Sequence, residues 1–336
     1  MISSNEIIHN SKAGLQRDDY VDALSGILII HMIVGHIFQW SSLTDSPLYS
    51  WMQRILFFFM PWFFYKSGMY FKEKNILTCF KSSIRKLIKP YIIFTVCGLP
   101  YIWFNLFTRN DENWVHYILS PVKILIFKGD NIANYPLWFL LSLFAVLNIY
   151  NFLHRYISTY IILILGFTLS ITEYYINCNI PYYTPNICMG LSFYATGHLS
   201  IKIKLTGNKY LFPAIIICML FVCVFPQYVD VRTNTLIYGT YVVWFISSVI
   251  SCFIYTSLFK NLEHLFPALL VTIGKDSMLY YVLHWILISY TSLICGIFFN
   301  AESGWNLFFI LLLCNILILP LLSYFLKSSR FEFIFK

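Results

Sequence analysis

Charge is what this sequence has least of. Asp, Glu, Lys and Arg make up 11% of its 336 residues, where a soluble domain carries about 25%. That shortage leaves too little polar surface for a solvated globular enzyme. Glycine and proline are also sparse, at 14 and 12 residues, which excludes a collagen-like chain and Pro/Gly-rich linkers. The nine cysteines stand singly, without a C-x-x-C or a Cys/His ligand spacing, so no metal site is expected. They read as small core residues, with Cys178 and Cys188 flanking one external loop as a pair that an oxidising compartment would allow to bridge. Neither a Gly-rich phosphate loop nor an internal repeat is present. The first twenty residues, "MISSNEIIHNSKAGLQRDDY", lack the apolar core and cleavage site of a signal peptide, so the first apolar segment is expected to be retained.

What is there is apolar. Hydrophobic residues reach 59%, aromatic residues 20%, and the mean hydropathy is +0.69. A helix needs roughly 20 apolar residues to cross the hydrocarbon, and from residue 22 onward the chain divides into such segments with short polar breaks. The reading is an all-α integral membrane protein, a bundle of about ten transmembrane helices forming a single domain over residues 1–336, with a polar N-terminus over 1–21 and no soluble C-terminal domain. The expected spans run over about 22–40, 51–70, 88–107, 136–153, 159–176, 187–201, 210–226, 235–258, 269–297 and 305–326. The piece "ILSPVKILIF" at 118–127 is too short to span and reads as re-entrant or interfacial.

Basic residues set the orientation. With the N-terminus inside, 17 Lys and Arg fall on cytoplasmic segments against 4 on external ones, with Arg54 and Lys66 left inside the second span. That bias places both termini in the cytoplasm, and it accounts for the net charge of +8 without a nucleic-acid partner. The densest basic stretch, "KEKNILTCFKSSIRKLIKP", is the expected loop between the second and third spans and carries six cations. It reads either as a topology signal meeting anionic lipid headgroups or as a phosphate-binding surface.

Ionisable side chains at membrane depth are costly and mark functional candidates. In "DALSGILIIHMIVGH", Asp22 to His36, residues eleven apart on a helix differ by about 20° from whole turns, so Ser25 and His36 share a face about 16 Å apart. Asp22 falls about 40° to the other side of that direction. One stripe thus joins the cytoplasmic entrance to a buried imidazole. His31 points about 140° away and is expected to serve packing rather than the same site. In "GKDSMLYYVLH", Asp276, Ser277 and His284 repeat the pattern, with capping and helix bridging as the plainer alternatives. Glu173 near the outer end of the fifth span reads either as a group reaching an external acceptor or as a snorkelling carboxylate.

Five motifs follow in order: "D-x-L-x-G-I" with "GH" in the first span, a basic run into "KPY" at Lys89 to Tyr91, "PLWFL" at Pro136 to Leu140 with Trp138 at its centre, "GHL" at Gly197 to Leu199, and "GKDSMLYYVLH". This order resembles the membrane-bound acyltransferase-3 family, which includes polysaccharide, lipopolysaccharide and fucose O-acetyltransferases. It implies a ten-helix domain that takes an acyl group from cytoplasmic acyl-CoA to a sugar hydroxyl, with His36 at the catalytic position. Such a family places an Arg where this chain has Ser25, and Arg17 is the sequence's candidate to replace it. An R-x-x-R pair entering the third span is matched by Lys86 and Lys89, beside Arg85; lysine binds phosphate as a point charge without the bidentate fork.

The resulting expectation is an O-acetyltransferase of the bacterial cytoplasmic (inner) membrane, with acetyl-CoA as donor, no metal, and a glycan or lipid-linked sugar as acceptor among membrane lipids. Catalysis would rest on His36, acceptor or donor binding on Asp22, Ser25, Arg17, Trp138, Asp276, Ser277 and His284, and CoA binding on Arg85, Lys86 and Lys89. A glycan exporter and a non-catalytic accessory subunit remain alternatives. The charge asymmetry makes a direct prediction. Labelling of single cysteines should find the segments around Lys81 and Lys204 inside and those around Arg109 and Asp230 outside; an external Lys81 would overturn the orientation.

Overall fold

The computed structural model describes residues 18–108, 114–128, 130–176, 183–201, 211–299, 303–327 and 334. Arg17 and Cys178 lie outside them. In hydrocarbon every backbone polar group must be satisfied within its own segment, so apolar runs of this length form helices. They are α1 (Asp19–Trp40), α2 (Pro47–Ile55), α3 (Phe59–Met69), α4 (Ile76–Ser83), α5 (Lys89–Phe107), α6 (Trp114–Lys128), α7 (Trp138–Leu153), α8 (Thr159–Ile176), α9 (Tyr183–Ser200) and α10 (Leu211–Val224). After a short hairpin of β1 (Tyr228–Asp230) and β2 (Thr235–Tyr238) come α11 (Tyr241–Asn261), α12 (Ala268–Lys275), α13 (Ser277–Phe299) and α14 (Gly304–Leu326).

Seven helices among the described residues are long and apolar enough to cross a membrane. They fall at the first, third, fourth, fifth, eighth, ninth and tenth of the expected spans. The second is broken into α2 and α3, because Pro61 is tolerated only in a first turn, where its missing N–H is no loss; Ser46 caps α2 by accepting from the Tyr49 N–H at 3.2 Å. The basic stretch is not a loop. Asn75 caps α4 by accepting from the Leu77 N–H at 3.0 Å, and the helix continues through a π-helical turn, Ile84–Ile88, into α5. That wide turn falls directly before Pro90, whose ring clashes with the carbonyl four residues back in a regular helix.

Three further boundaries differ from the sequence reading. The interfacial piece at 118–127 is part of a 15-residue helix, α6. The eighth span starts at Tyr241, since Gly239 at φ +86° turns the chain against Gln227 and leaves 235–238 as a strand. The ninth is interrupted at Asp276, between α12 and α13.

The centre of the bundle is α1, of whose apolar window 78% is buried, against 22–56% in the other six long helices. It packs against α2, α3, α11, α12, α13 and α14. Two close backbone approaches fix its surroundings. A Cβ at Gly274 would lie 1.6 Å from the Asp22 carbonyl oxygen, and one at Gly26 would lie 2.5 Å from that of Leu270, so α12 sits directly on the first turns of α1. Likewise Gly197 and Gly68 let α9 and α3 touch at the Tyr65 and Tyr194 carbonyls. Small residues at helix contacts are the ordinary means of close packing in membranes. Gly274→Val is therefore expected to push α12 off α1 at a cost of about 3 kcal/mol or more, the upper range for overpacking. It should appear as a thermal midpoint lower by several degrees in the purified protein, and an unchanged midpoint would contradict the contact.

Candidate active site

His36 lies near the C-terminal end of α1, half-buried. Its Nδ1 is 2.9 Å from Gln39 Oε1, and Gln39 Nε2 donates to the Tyr49 hydroxyl at 3.3 Å. With the amide so oriented, Oε1 accepts and His36 Nδ1 must carry the proton, which leaves Nε2 as a free lone pair. His284 of α13 stacks on the ring, centroids 5.3 Å apart and planes at 19°. Trp285 meets it edge-on at 5.2 Å. His284 is fully buried, and its Nδ1 approaches the Tyr281 carbonyl at 2.8 Å, so it donates there. Asn134, just before α7, donates to the Val282 carbonyl at 3.1 Å and ties α13 to that loop.

His36, Gln39, Tyr49 and Trp285 border a cavity of about 650 Å³ whose wall also includes His31, Gln53 and Trp138, with His284 packed behind His36. The hairpin forms another side through Asp230 and Arg232. Arg232 Nη1 donates to Asp130 Oδ1 at 2.9 Å, its guanidinium 5.4 Å over the Tyr135 ring. Asp230 accepts from the Arg232 N–H and the Thr233 hydroxyl, each at 3.0 Å, so the hairpin tip is held by its own side chain.

His31 is a correction to the sequence reading. Helical geometry does point it away from His36, yet both line the one cavity. The cavity extends around α1 to the side of α2 and α3, where His31 meets the Phe59 ring edge-on at 5.0 Å. A helical wheel gives directions but not the width of the space beside them.

A second polar cluster occupies the opposite end of α1. Asp22 and Ser25 are fully buried. Lys66 of α3 donates to Ser25 Oγ at 2.5 Å, lies 3.8 Å from Asp22 Oδ1, and sits 5.6 Å over the Trp62 ring. Ser25 in turn donates to the Val21 carbonyl at 2.7 Å. Lys66 was missed as a site residue, although a lone lysine inside an apolar span is itself a signal. Around this end lie the Lys275–Asp19 pair at 2.8 Å and the Tyr70 hydroxyl donating to Asp18 at 3.0 Å.

Asp276 and Ser277 also belong here, at the joint between α12 and α13 and away from the cavity. Asp276 pairs with Lys327 and accepts from Ser323 at 3.3 Å. The cavity's residues on α1 run only from His31 to Gln39, so Asp22 and Ser25 lie beyond it.

The third group stands at the same end as Asp22. Tyr101 of α5 packs on Trp40 at 5.9 Å, and Lys86 is fifteen residues earlier, about 22 Å along the axis. Arg85 and Lys86 are exposed on the π-helical turn, while Lys89 is half-buried at the start of α5. The wide turn takes Lys86 and Lys89 off the common face that a spacing of three would give in a regular helix. Elsewhere, Cys188 is a free thiol directed at Glu173 Oε1, 3.6 Å away.

The arrangement gives an imidazole with an oriented lone pair in a polar-aromatic cavity, and Lys66 and Lys275 paired with carboxylates at the far end of the same helix. No curated protein and no solved structure matches the chain. A family model described as an acyltransferase domain matches residues 18–325, nearly the whole chain, and this integral membrane protein therefore belongs to the acyltransferase-3 family.

Proposed function

We propose that the protein is an O-acetyltransferase of a bacterial inner membrane, moving acetyl from cytoplasmic acetyl-CoA to a hydroxyl of a cell-surface polysaccharide or its lipid-linked precursor. The observation that carries the reading is His36, its Nδ1 proton accepted by Gln39 and its Nε2 free, bordering a cavity large enough for a sugar. An acceptor hydroxyl would give its proton to Nε2 as its oxygen forms a bond to the thioester carbonyl carbon. Collapse of the tetrahedral intermediate breaks the C–S bond, and the departing thiolate takes the proton back from the imidazolium. The products are the O-acetyl ester and free CoA. Gln39 holds the ring's orientation throughout and meets the charge that forms on it.

The donor end is supported by charge. CoA carries phosphates, and Lys66, Arg85, Lys86 and Lys89 gather at the end of the bundle that the basic-residue count assigns to the cytoplasm. Lys66 sits on Ser25, the position where the resemblance implies a cation, so it and not Arg17 is the residue proposed to meet the acyl donor. Trp138 and His284 belong to the acceptor end in this scheme, whereas Asp276 and Ser277 support the helix joint.

Two measurements test the scheme. His36→Ala should remain inserted but lose about 10²-fold or more in acetyl transfer. Gln39→Leu, which frees the ring without removing it, should lose up to roughly 10-fold; a fully active His36→Ala enzyme would end the assignment. For the donor, Lys66→Met is best combined with Asp22→Asn, because removing the cation alone leaves a buried carboxylate uncompensated. The double variant should raise KM for acetyl-CoA by roughly 10-fold and leave KM for the glycan nearly unmoved. Equal shifts in both would remove Lys66 from the donor site.

A further inference from the structure

Three buried polar atoms on the cavity wall have no hydrogen-bond partner among the described residues: the Tyr281 hydroxyl on α13 and a pair on α1 and α2, His31 Nε2 and Gln53 Oε1. His31 and Gln53 are each only 7% exposed, and both border the space that His36 borders. Buried polar atoms are nearly always paired, and each exception calls for an occupant. Gln53 lies on the same wall as Tyr49, whose hydroxyl accepts from Gln39 Nε2. Its unmet atom is a carbonyl oxygen, which only accepts, so whatever satisfies it must bring an O–H or N–H.

The rest of the wall narrows the class. Tyr135, Trp138 and Trp285 offer aromatic surfaces to the same cavity, suited to the apolar face of a sugar ring. Charge at the wall is weighted against anions: Asp45 and Asp230 carry carboxylates, while Arg232 is already tied to Asp130.

We propose that His31 and Gln53 form an acceptor subsite that holds two neighbouring hydroxyls of a neutral sugar beside His36. This rests on the transferase reading above and narrows its substrate class: an uncharged hexose or deoxyhexose unit is accepted, and a uronic acid or other anionic sugar is disfavoured. His31 is thereby a binding residue and His36 the proton acceptor.

The test uses the purified full chain in nanodiscs and saturation-transfer NMR with methyl glycosides. A neutral methyl hexoside should bind at least about 10-fold more tightly than the matching methyl glucuronide. Among monodeoxy analogues, loss of a hydroxyl held by the subsite should weaken binding by about 10-fold in the unaltered protein. In Gln53→Leu and His31→Phe the same deoxygenation should cost less than about 2-fold, because the partner is already gone. Equal binding of the glucuronide, a deoxygenation penalty that persists in both variants, or no glycoside binding at all would overturn the subsite. The neutral-against-anionic and deoxy comparisons need no variant, so a variant that fails to fold leaves the proposal exposed to refutation. A parallel assay with labelled acetyl-CoA separates the two readings. Transfer without the deoxygenation penalty removes the subsite alone; the penalty without transfer removes the transferase reading alone.

Discussion

Burial of polar groups in an apolar bundle is the constraint from which the rest of this structure follows. An ionisable side chain inside a membrane protein is expensive unless another group meets it, and α1, the most enclosed of the long helices, carries Asp22, Ser25, His31 and His36 along its length. Neighbouring helices meet them in turn. Asp22 and Ser25 are met by Lys66 from α3. His36 is met by Gln39 of its own helix and by His284 of α13. His31 faces α2 and α3 with its Nε2 still unmet. The arrangement around α1 is therefore a record of which polar groups had to be satisfied, laid over a core that is otherwise generic aromatic and aliphatic packing.

The motifs that carry the family resemblance divide accordingly into two physical kinds. Gly274 and Gly197 are packing residues: a side chain at either would strike a neighbouring backbone. Their effect on the site is indirect but specific. Gly197 receives the Tyr65 carbonyl, which fixes the register of α3 at the residue before Lys66, and Gly274 receives the Asp22 carbonyl, which fixes the first turn of α1. Together they align the ammonium with Ser25. His36 and Trp138, in contrast, line open space, and no packing requirement accounts for an imidazole there.

The long apolar helices were legible because hydropathy is a property of the chain itself. What was not legible depended on local signals of low contrast or on partners elsewhere in the chain. The helical continuation through Arg85 and Lys86 was hidden because a basic stretch beside a span looks like a loop, and only the Asn75 cap and the turn before Pro90 argue otherwise. The strand at 235–238 is as apolar as the helix after it; its conformation is set by Gly239 against Gln227. His31 was assigned to packing away from the His36 site, yet it lines the same cavity, since the breadth of that space is determined by α2, α3 and the hairpin.

Lys66 gives the sharpest form of that lesson. The resemblance implies a cation at the position of Ser25, and inspection of α1 alone finds none there. An ammonium is a compact charge on a flexible stem with three donors, so it can reach from a neighbouring helix and meet a hydroxyl and a carboxylate at once, as Lys66 does with Ser25 and Asp22. Arginine rooted on α1 would carry its charge to the end of a longer, forked side chain of the same helix. Lysine rooted on α3 brings the charge to the hydroxyl from outside, and serine at 25 leaves room for it. The quantity that must be preserved for a donor's negative charge is the position of a positive one in space, and that position is shared between two helices here, so neither helix's sequence states it alone.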